Sequence, residues 1–447
     1  MSTYHADFAW RGGETAVADV RIEVANGIIA TVTEGVAPHP GDEHVSGVVM
    51  PGLVNAHSHA FHRALRGRTD NGGSDFWSWR KQMYRVANAL TPENYSELSA
   101  MVYAEMTLSG ITGVGEFHYV HHNPDGLAYS DSNEMGFAVV QGARRAGIRL
   151  ALLDVAYLHA GLDQPKPLPE QQRFADKNVD AWLDRVDRLG EGGERWTVGL
   201  APHSVRAVHP DELDEVVGAR YGRVVHLHVS EQPAENIACL AATGKTPTAV
   251  LADVGLLGSF TTAVHATHLT SQDIELLGAS KTTVCFCPTT ERDLADGIGP
   301  ASALVNAGAL LALGSDSHAV IDLFEEARAV ELNERLITTR RGLHRPCDLL
   351  AAATSGGAHS LGWTEFGSRI GIQPGAPADF IAISLDSTRL ASFSTASAAA
   401  CIVYAAAPAD VSNVWVSGRR IVEHGRHTDI EDVVSGLRNA IAQVVSI

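Results

Sequence analysis

The stretch Val48-Val49-Met50-Pro51-Gly52-Leu53-Val54-Asn55-Ala56-His57-Ser58-His59 decides how the chain folds. Its apolar part, Val48 to Val54, reads as a buried strand. Two imidazoles separated by one residue follow it. In extended chain, residues i and i+2 lie on the same side, so His57 and His59 reach toward one point. An isolated pair of this kind has an ordinary reading as surface or core histidines. Three further apolar runs end in the same way, in His226-Leu227-His228 with Glu231 close behind, in His265-Ala266-Thr267-His268, and in Ser315-Asp316-Ser317-His318. Strand ends that repeatedly carry nitrogen and oxygen ligands point to a metal centre. His226, in mid-strand, reads equally well as a packing residue, and His268 and His318 as supporting or surface groups.

Working outward, apolar runs alternate with helical stretches through the middle of the chain. Strands are expected near 48–54, 112–118, 148–154, 196–202, 224–229, 260–265, 282–287 and 309–314. This βα alternation favours a parallel sheet wrapped by helices. Eight strands in about 320 residues predict an α/β chain built as a (β/α)₈ TIM-type barrel. Such barrels keep their chemistry at the C-terminal ends of the strands, which is where the ligand-type residues fall. Thr91-Pro92 caps a helix whose inner face carries Tyr95, Leu98, Met101 and Val102 and which stops at Ser109-Gly110. The ends differ in texture. Val20-Arg21-Ile22-Glu23-Val24 alternates as a strand does, and Asn26-Gly27 is a tight-hairpin pair. The segments after Gly371 and Val414 look alike. The two ends are therefore expected to pair as one small β-sandwich domain, 1–47 with 366–430, around a barrel over 48–365 and before a C-terminal helix over 431–447.

The chain has 447 residues and a net charge of −18, which argues against nucleic acid or an anionic membrane as partner. Its five cysteines, an odd number in a long chain, suit a reducing cytoplasm. No basic, apolar leader precedes residue 7, and the apolar stretch from Ala301 to Leu313 is broken by Asn306 and too short to span a bilayer, so a cytoplasmic enzyme is expected.

The opening Pro51-Gly52-Leu53-Val54-Asn55-Ala56-His57-Ser58-His59, followed by His228, His265 and Asp316, resembles the amidohydrolase superfamily over nearly the whole chain. Within it, Ser58-His59-Ala60-Phe61, Phe76-Trp77-Ser78-Trp79-Arg80, Glu116-Phe117-His118-Tyr119-Val120-His121-His122, His203-Ser204-Val205-Arg206-Ala207-Val208 and Asp296-Gly297 resemble the formimidoylglutamate deiminases. That resemblance implies conversion of N-formimino-L-glutamate and water to N-formyl-L-glutamate and ammonia, a step of histidine degradation. It also implies one divalent metal ion, zinc by preference, on His57, His59, His228 and Asp316. Two-metal members of the superfamily need a carboxylated lysine, commonly at the end of strand four. Here that end reads Leu200-Ala201-Pro202-His203, with no lysine between Lys177 and Lys245, so a single ion is expected. Zinc lowers the pKa of its water to roughly 7. Asp316 is then expected to take a proton, His265 to polarise the attacking oxygen and the tetrahedral centre, and Glu231 to pass protons to the leaving nitrogen. By the same resemblance Arg80 and Arg206 bind the substrate carboxylates, with Tyr119 and His203 as neighbours. His62 stands where the family usually has glutamine, close to the substrate. The expected partner is thus a small anionic, amino-acid-derived molecule, and family analogy implies a homodimer.

Two other readings stay open. One is a related deaminase acting on another formimino amino acid, such as N-formimino-L-aspartate, or on a purine or triazine-type ring. The other is a barrel without catalysis that serves as a scaffold; such a chain should show gaps among its ligands, and none is visible.

Overall fold

Strand alternation at the N-terminus produces β1 (Ser2–Ala9), β2 (Val17–Ala25), β3 (Ile28–Thr33) and β4 (Glu43–Pro51). Asn26 and Gly27 make the β2–β3 turn with φ of 51° and 76°, the left-handed pair that a tight hairpin requires. The computed structural model describes residues 1–69, 76–363 and 370–445, and the side chains of 76–78 are also outside the description. The expected domain boundary at 365/366, the side chains of Phe76-Trp77-Ser78 and the last two residues of the expected terminal helix therefore lie outside the described residues.

Next come β5 (Leu53–Ser58), β6 (Ile111–His118), β7 (Arg149–Ala156), the two-residue β8 (Gly192–Gly193), β9 (Trp196–Pro202), β10 (Val225–Val229), β11 (Thr261–His265), β12 (Thr283–Phe286) and β13 (Leu310–Leu313). β5, β6, β7 and β9 to β13 form a parallel ladder in chain order, while β8 only flanks β9. The ladder closes where Ser58 bridges Asp316 in parallel. At that seam His59 N–H donates to Asp316 O at 3.1 Å and Asp316 N–H to His57 O at 3.0 Å. The barrel is thus closed by the backbone of residues whose side chains were read as ligands.

The remaining strands are β14 (Phe380–Ile383), β15 (Val411–Val416), β16 (Arg419–Glu423) and β17 (Arg426–His427). Both chain ends join in one sheet of order β17-β16-β15-β14-β4-β1-β2-β3. It curls so that Tyr4, Phe380 and Trp415 share a core, with ring centroids 4.6 to 5.7 Å apart. Ile29 N–H donates to Ala376 O and Gly375 N–H to Ile29 O, both at 2.8 Å, which holds the curl shut.

One boundary differs from expectation. The run Val48 to Val54, read as a single barrel strand, belongs to two sheets: β4 carries it to Pro51 beside β1 and β14, and β5 takes over at Leu53 beside β6. Residues 48–51 therefore pair with the end sheet and not with the barrel, which had been expected to begin at 48. The step is at Gly52, whose N–H donates to Asp379 O at 3.1 Å. A Cβ there would stand 2.1 Å from the Thr112 hydroxyl oxygen, so only glycine lets the chain pass so close to β6.

Outside the barrel, the helix Pro92–Leu108 starts at the Thr91 cap, with a reciprocal bond from Thr91 N–H to Asn94 Oδ1 at 2.7 Å. Tyr95, Leu98, Met101 and Val102 are buried on its inner face. The terminal helix Val433–Val445 packs on it, with Gly436 against Met101. No helix among the described residues is long and apolar enough to cross a membrane.

Candidate active site

Each strand end delivers its side chain by local constraint. His57 and His59 leave β5 on one side, and the intervening Ser58 points the other way, into the barrel wall. There Ser58 Oγ–H donates to one oxygen of Glu116 and Ala60 N–H to the other, both at 2.6 Å. Glu116, on β6, thereby grips both neighbours of His59. Burial pushes its carboxyl pKa up to about 7, against the pull of those two hydrogen bonds. Ser58 also meets His318 at 3.2 Å, and His318 meets Ser315 at 2.9 Å. Ser315 is tied to Asn55 by two bonds, at 2.7 and 2.9 Å, so a polar network supports the seam from behind.

The left-handed backbone of Ser230 (φ 52°), His265 (68°), Ala266 (48°), Asp316 (42°) and His318 (59°) lies at the ends of the strands. Non-glycine residues pay for that conformation, and its concentration here is what strained functional sites show.

The imidazoles converge. His57 Nε2 and His228 Nε2 are 3.1 Å apart. Asp316 Oδ1 lies 3.4 Å from His57 Nε2 and 3.2 Å from His59 Nε2. One ligand atom from each of His57, His228, His265 and Asp316 falls within 4.8 Å of all the others. The Nδ1–H of His59 donates to Phe117 O, and that of His228 to His203 O, each at 3.1 Å. That fixes the tautomer and leaves the Nε2 lone pairs turned inward, the arrangement of metal-binding histidine. Burial pushes His57 down to about 3 and His228 well below the ordinary histidine value, so both rings are neutral donors. Burial opposes charge on Asp316, yet the imidazoles around it, His57 and His59 in contact and His265 nearby, hold it well below the usual carboxylate range. His57 Nδ1 is buried without a hydrogen-bond partner while its Nε2 meets both His228 Nε2 and Asp316 Oδ1, and this convergence of nitrogen and oxygen donors fits zinc.

Around this cluster a cleft opens, lined by His59, His62, Arg80, Tyr119, His203 and Arg206 among others, together with Glu231, His265 and Asp316. His265 Nε2 is 3.9 Å from both Glu231 Oε1 and Asp316 Oδ2. Burial works against charge on His265, but Glu231, Glu291 and Asp316 outweigh it and raise its pKa well above the ordinary value. His62 Nε2 bonds to Tyr119 Oη at 2.7 Å and its ring stands edge-on to Trp79. Arg80 donates to Tyr84 Oη at 2.8 Å. Arg206 faces the buried Glu235 at 3.8 Å.

The structure brings every candidate residue into this one cleft or the cluster at its floor. His226 is not among them: it is buried and bonded to Ser360 O at 2.8 Å, a packing residue. His268 holds Asp296 O at 2.7 Å and so supports a loop. Four carboxylates behind the site, Glu116, Glu235, Glu291 and Asp296, had no role assigned from the sequence. Glu235 accepts Glu231 N–H at 3.2 Å, and Asp296, pushed up to about 8 by burial, bonds to Gln232. Glu116 and Asp296 fall in stretches that carry the family resemblance, whereas the signal of Glu235 and Glu291 in sequence is only a carboxylate shortly after an apolar strand. A second grouping, His159, His209 and Glu212, lies outside the cleft lining. His159 Nε2 is bonded to Glu212 at 2.8 Å, its ring stacks on His209 at 3.8 Å and 15°, and Glu212 also accepts His209 N–H, so the three groups already satisfy one another.

The profile of the Amidohydrolase family matches residues 48–421. The formimidoylglutamate deiminase of Pseudomonas aeruginosa is 35% identical over 92% of this chain and 93% of its own. Among solved structures, an amidohydrolase from Brucella melitensis is 32% identical with a TM-score of 0.92, all of both chains being covered. An adenosine deaminase from Xanthomonas campestris, solved with bound zinc, is 25% identical with a TM-score of 0.83, over 100% of this chain and 98% of that one.

Proposed function

This chain belongs to the amidohydrolase family, and from that premise we propose that it is a deiminase that hydrolyses N-formimino-L-glutamate to N-formyl-L-glutamate and ammonia. One observation carries the reading: Arg80 and Arg206 line the same cleft as Glu231, His265 and Asp316. Two guanidinium groups beside a hydrolytic floor suit a small molecule with two carboxylates.

His57, His59, His228 and Asp316 would hold one divalent ion, zinc in this reading. Bound there, the ion supplies water that ionises near neutral pH. Asp316 then accepts the proton as water oxygen bonds to the formimino carbon. His265, with Nε2 toward that carbon, stabilises the charge of the tetrahedral centre. Through Asp316 and Glu231 the two protons of the water reach the terminal nitrogen, one as its double bond to carbon opens and one as the remaining single bond breaks and the added oxygen becomes the formyl carbonyl, so ammonia leaves in place of an amide ion. Tyr119, His203 and His62 orient the chain of the substrate.

A second reading is favoured by the aromatic wall of Trp79, Tyr84, Tyr157 and Phe174, which would also face a heterocyclic ring. Ammonia release should therefore be compared across N-formimino-L-glutamate, its aspartate analogue and guanine. The highest kcat/KM is expected for N-formimino-L-glutamate. Faster turnover of guanine would overturn the substrate class, and faster turnover of the aspartate analogue would shorten the substrate.

A further inference from the structure

We propose that Glu291 is a positioning residue for this reaction, acting on turnover by fixing the ring of His265; the inference rests on the hydrolytic reading above. His265 ends β11 in left-handed backbone and is followed by a second left-handed residue, Ala266. The ring it presents is buried. An imidazole in such a place has two orientations related by a half-turn about its Cβ–Cγ bond, which exchange nitrogen for carbon at every edge position. In one, Nε2 faces the gap between Glu231 and Asp316, 3.9 Å from each. In the other, a carbon takes that place and the reacting atoms lose their nitrogen. A gap of 3.9 Å is wider than a hydrogen bond, so those two carboxylates do not themselves fix the ring.

The contact that distinguishes the orientations is on the far edge, where His265 Nδ1 lies 3.3 Å from Glu291 Oε1. Glu291 is itself immobilised. Its Oε1 also accepts Cys287 N–H at 2.8 Å, and its backbone N–H donates to Cys287 O at 2.9 Å. It belongs to the short helix Pro288–Asp293 that follows β12 directly. The same turn is anchored from outside, since the N–H and hydroxyl of Thr289 both donate to the buried Glu326. Glu291 is buried and absent from the cleft lining, so it touches His265 and not the substrate. A fixed acceptor behind a catalytic histidine is how ring orientation and tautomer are set elsewhere.

The test compares Glu291→Ala and Glu291→Gln, each in the wild-type and the His265→Ala background, with bound metal, melting temperature and ammonia release from N-formimino-L-glutamate measured together. Glu291→Ala should lower kcat about 10- to 100-fold, the usual cost of removing such a supporting partner, with KM and metal content unchanged. Glu291→Gln keeps an oxygen for the Nδ1 proton and should recover most of the loss. In the His265→Ala background, Glu291→Ala should change the residual kcat no further. An equal loss in both backgrounds, or a glutamine variant no better than alanine, would overturn the proposal. If the wild-type protein releases no ammonia from this substrate, the functional reading fails on its own, and nuclear magnetic resonance still decides the role of Glu291. The hydrogen-bonded Nδ1 proton of His265 should be present in wild type and Glu291→Gln and absent in Glu291→Ala; its survival in the alanine variant would remove Glu291 from this role.

Discussion

At the scale of single residues, charge placed in a buried setting decides most of what the site does. Arg206 is the clearest case, because the molecule carries a net charge of −18 and an anionic ligand must find its own cations in the cleft. Removing one charge-assisted hydrogen bond costs about 1.5 to 3 kcal/mol, so Arg206→Ala should lower kcat/KM for N-formimino-L-glutamate by about 10- to 100-fold. Metal content should be untouched, and unaltered kinetics would take Arg206 out of the pocket. Glu116 carries a stability consequence with a definite sign. Burial raises its pKa from 4.5 to about 7 in the folded protein. Between those two values the unfolded chain has lost this proton while the folded metal-free protein keeps it, so stability from this group falls as pH rises through that window. The fall amounts to about 3 kcal/mol over the full range. Urea unfolding of the metal-free protein at pH 5 and pH 8 should show a slope of that sign, to which Asp296, raised to about 8, also contributes, and Glu116→Gln should reduce it. An identical slope in the variant would assign the pH dependence to other groups.

At the scale of elements, the ligand set was legible because a parallel barrel puts the residues after each strand on one face. Hence His57, His59, His228, His265 and Asp316 stood out as polar groups closing apolar runs. The boundary within Val48 to Val54 was not legible for an equally physical reason. Both sides of Gly52 are apolar and buried, and periodicity states that a strand is buried without saying in which sheet. Only the close approach of Gly52 to Thr112 marks the change. Gly52→Ala should therefore destabilise the protein by about 1 to 3 kcal/mol through overpacking, and Thr112→Ala should return a large part of it. Thermal unfolding of the single and double variants measures this, and strict additivity would contradict a direct clash. The supporting carboxylates Glu235 and Glu291 escaped the sequence because their partners are distant strands or loops, and a glutamate after a strand looks like any solvated loop residue until the chain closes around it.

At the scale of the whole molecule, one arrangement unites fold and chemistry: the barrel closes through the backbone of His57, Ser58, His59 and Asp316, and at that seam the side chains of His57 and Asp316 turn toward His228 and His265, with His59 beside Asp316. The end sheet is tied to the barrel floor at Arg149, which donates to Asp379 at 2.8 and 3.0 Å, so the seam rests on a braced base. The central claim is that this convergence holds one divalent ion on which hydrolysis depends. The direct measurement is metal content per chain alongside ammonia release from N-formimino-L-glutamate, for the wild-type protein and for His228→Ala. We predict close to one ion per chain and turnover in the wild type, and loss of both in the variant. Full turnover by a His228→Ala protein that binds no metal would contradict the account.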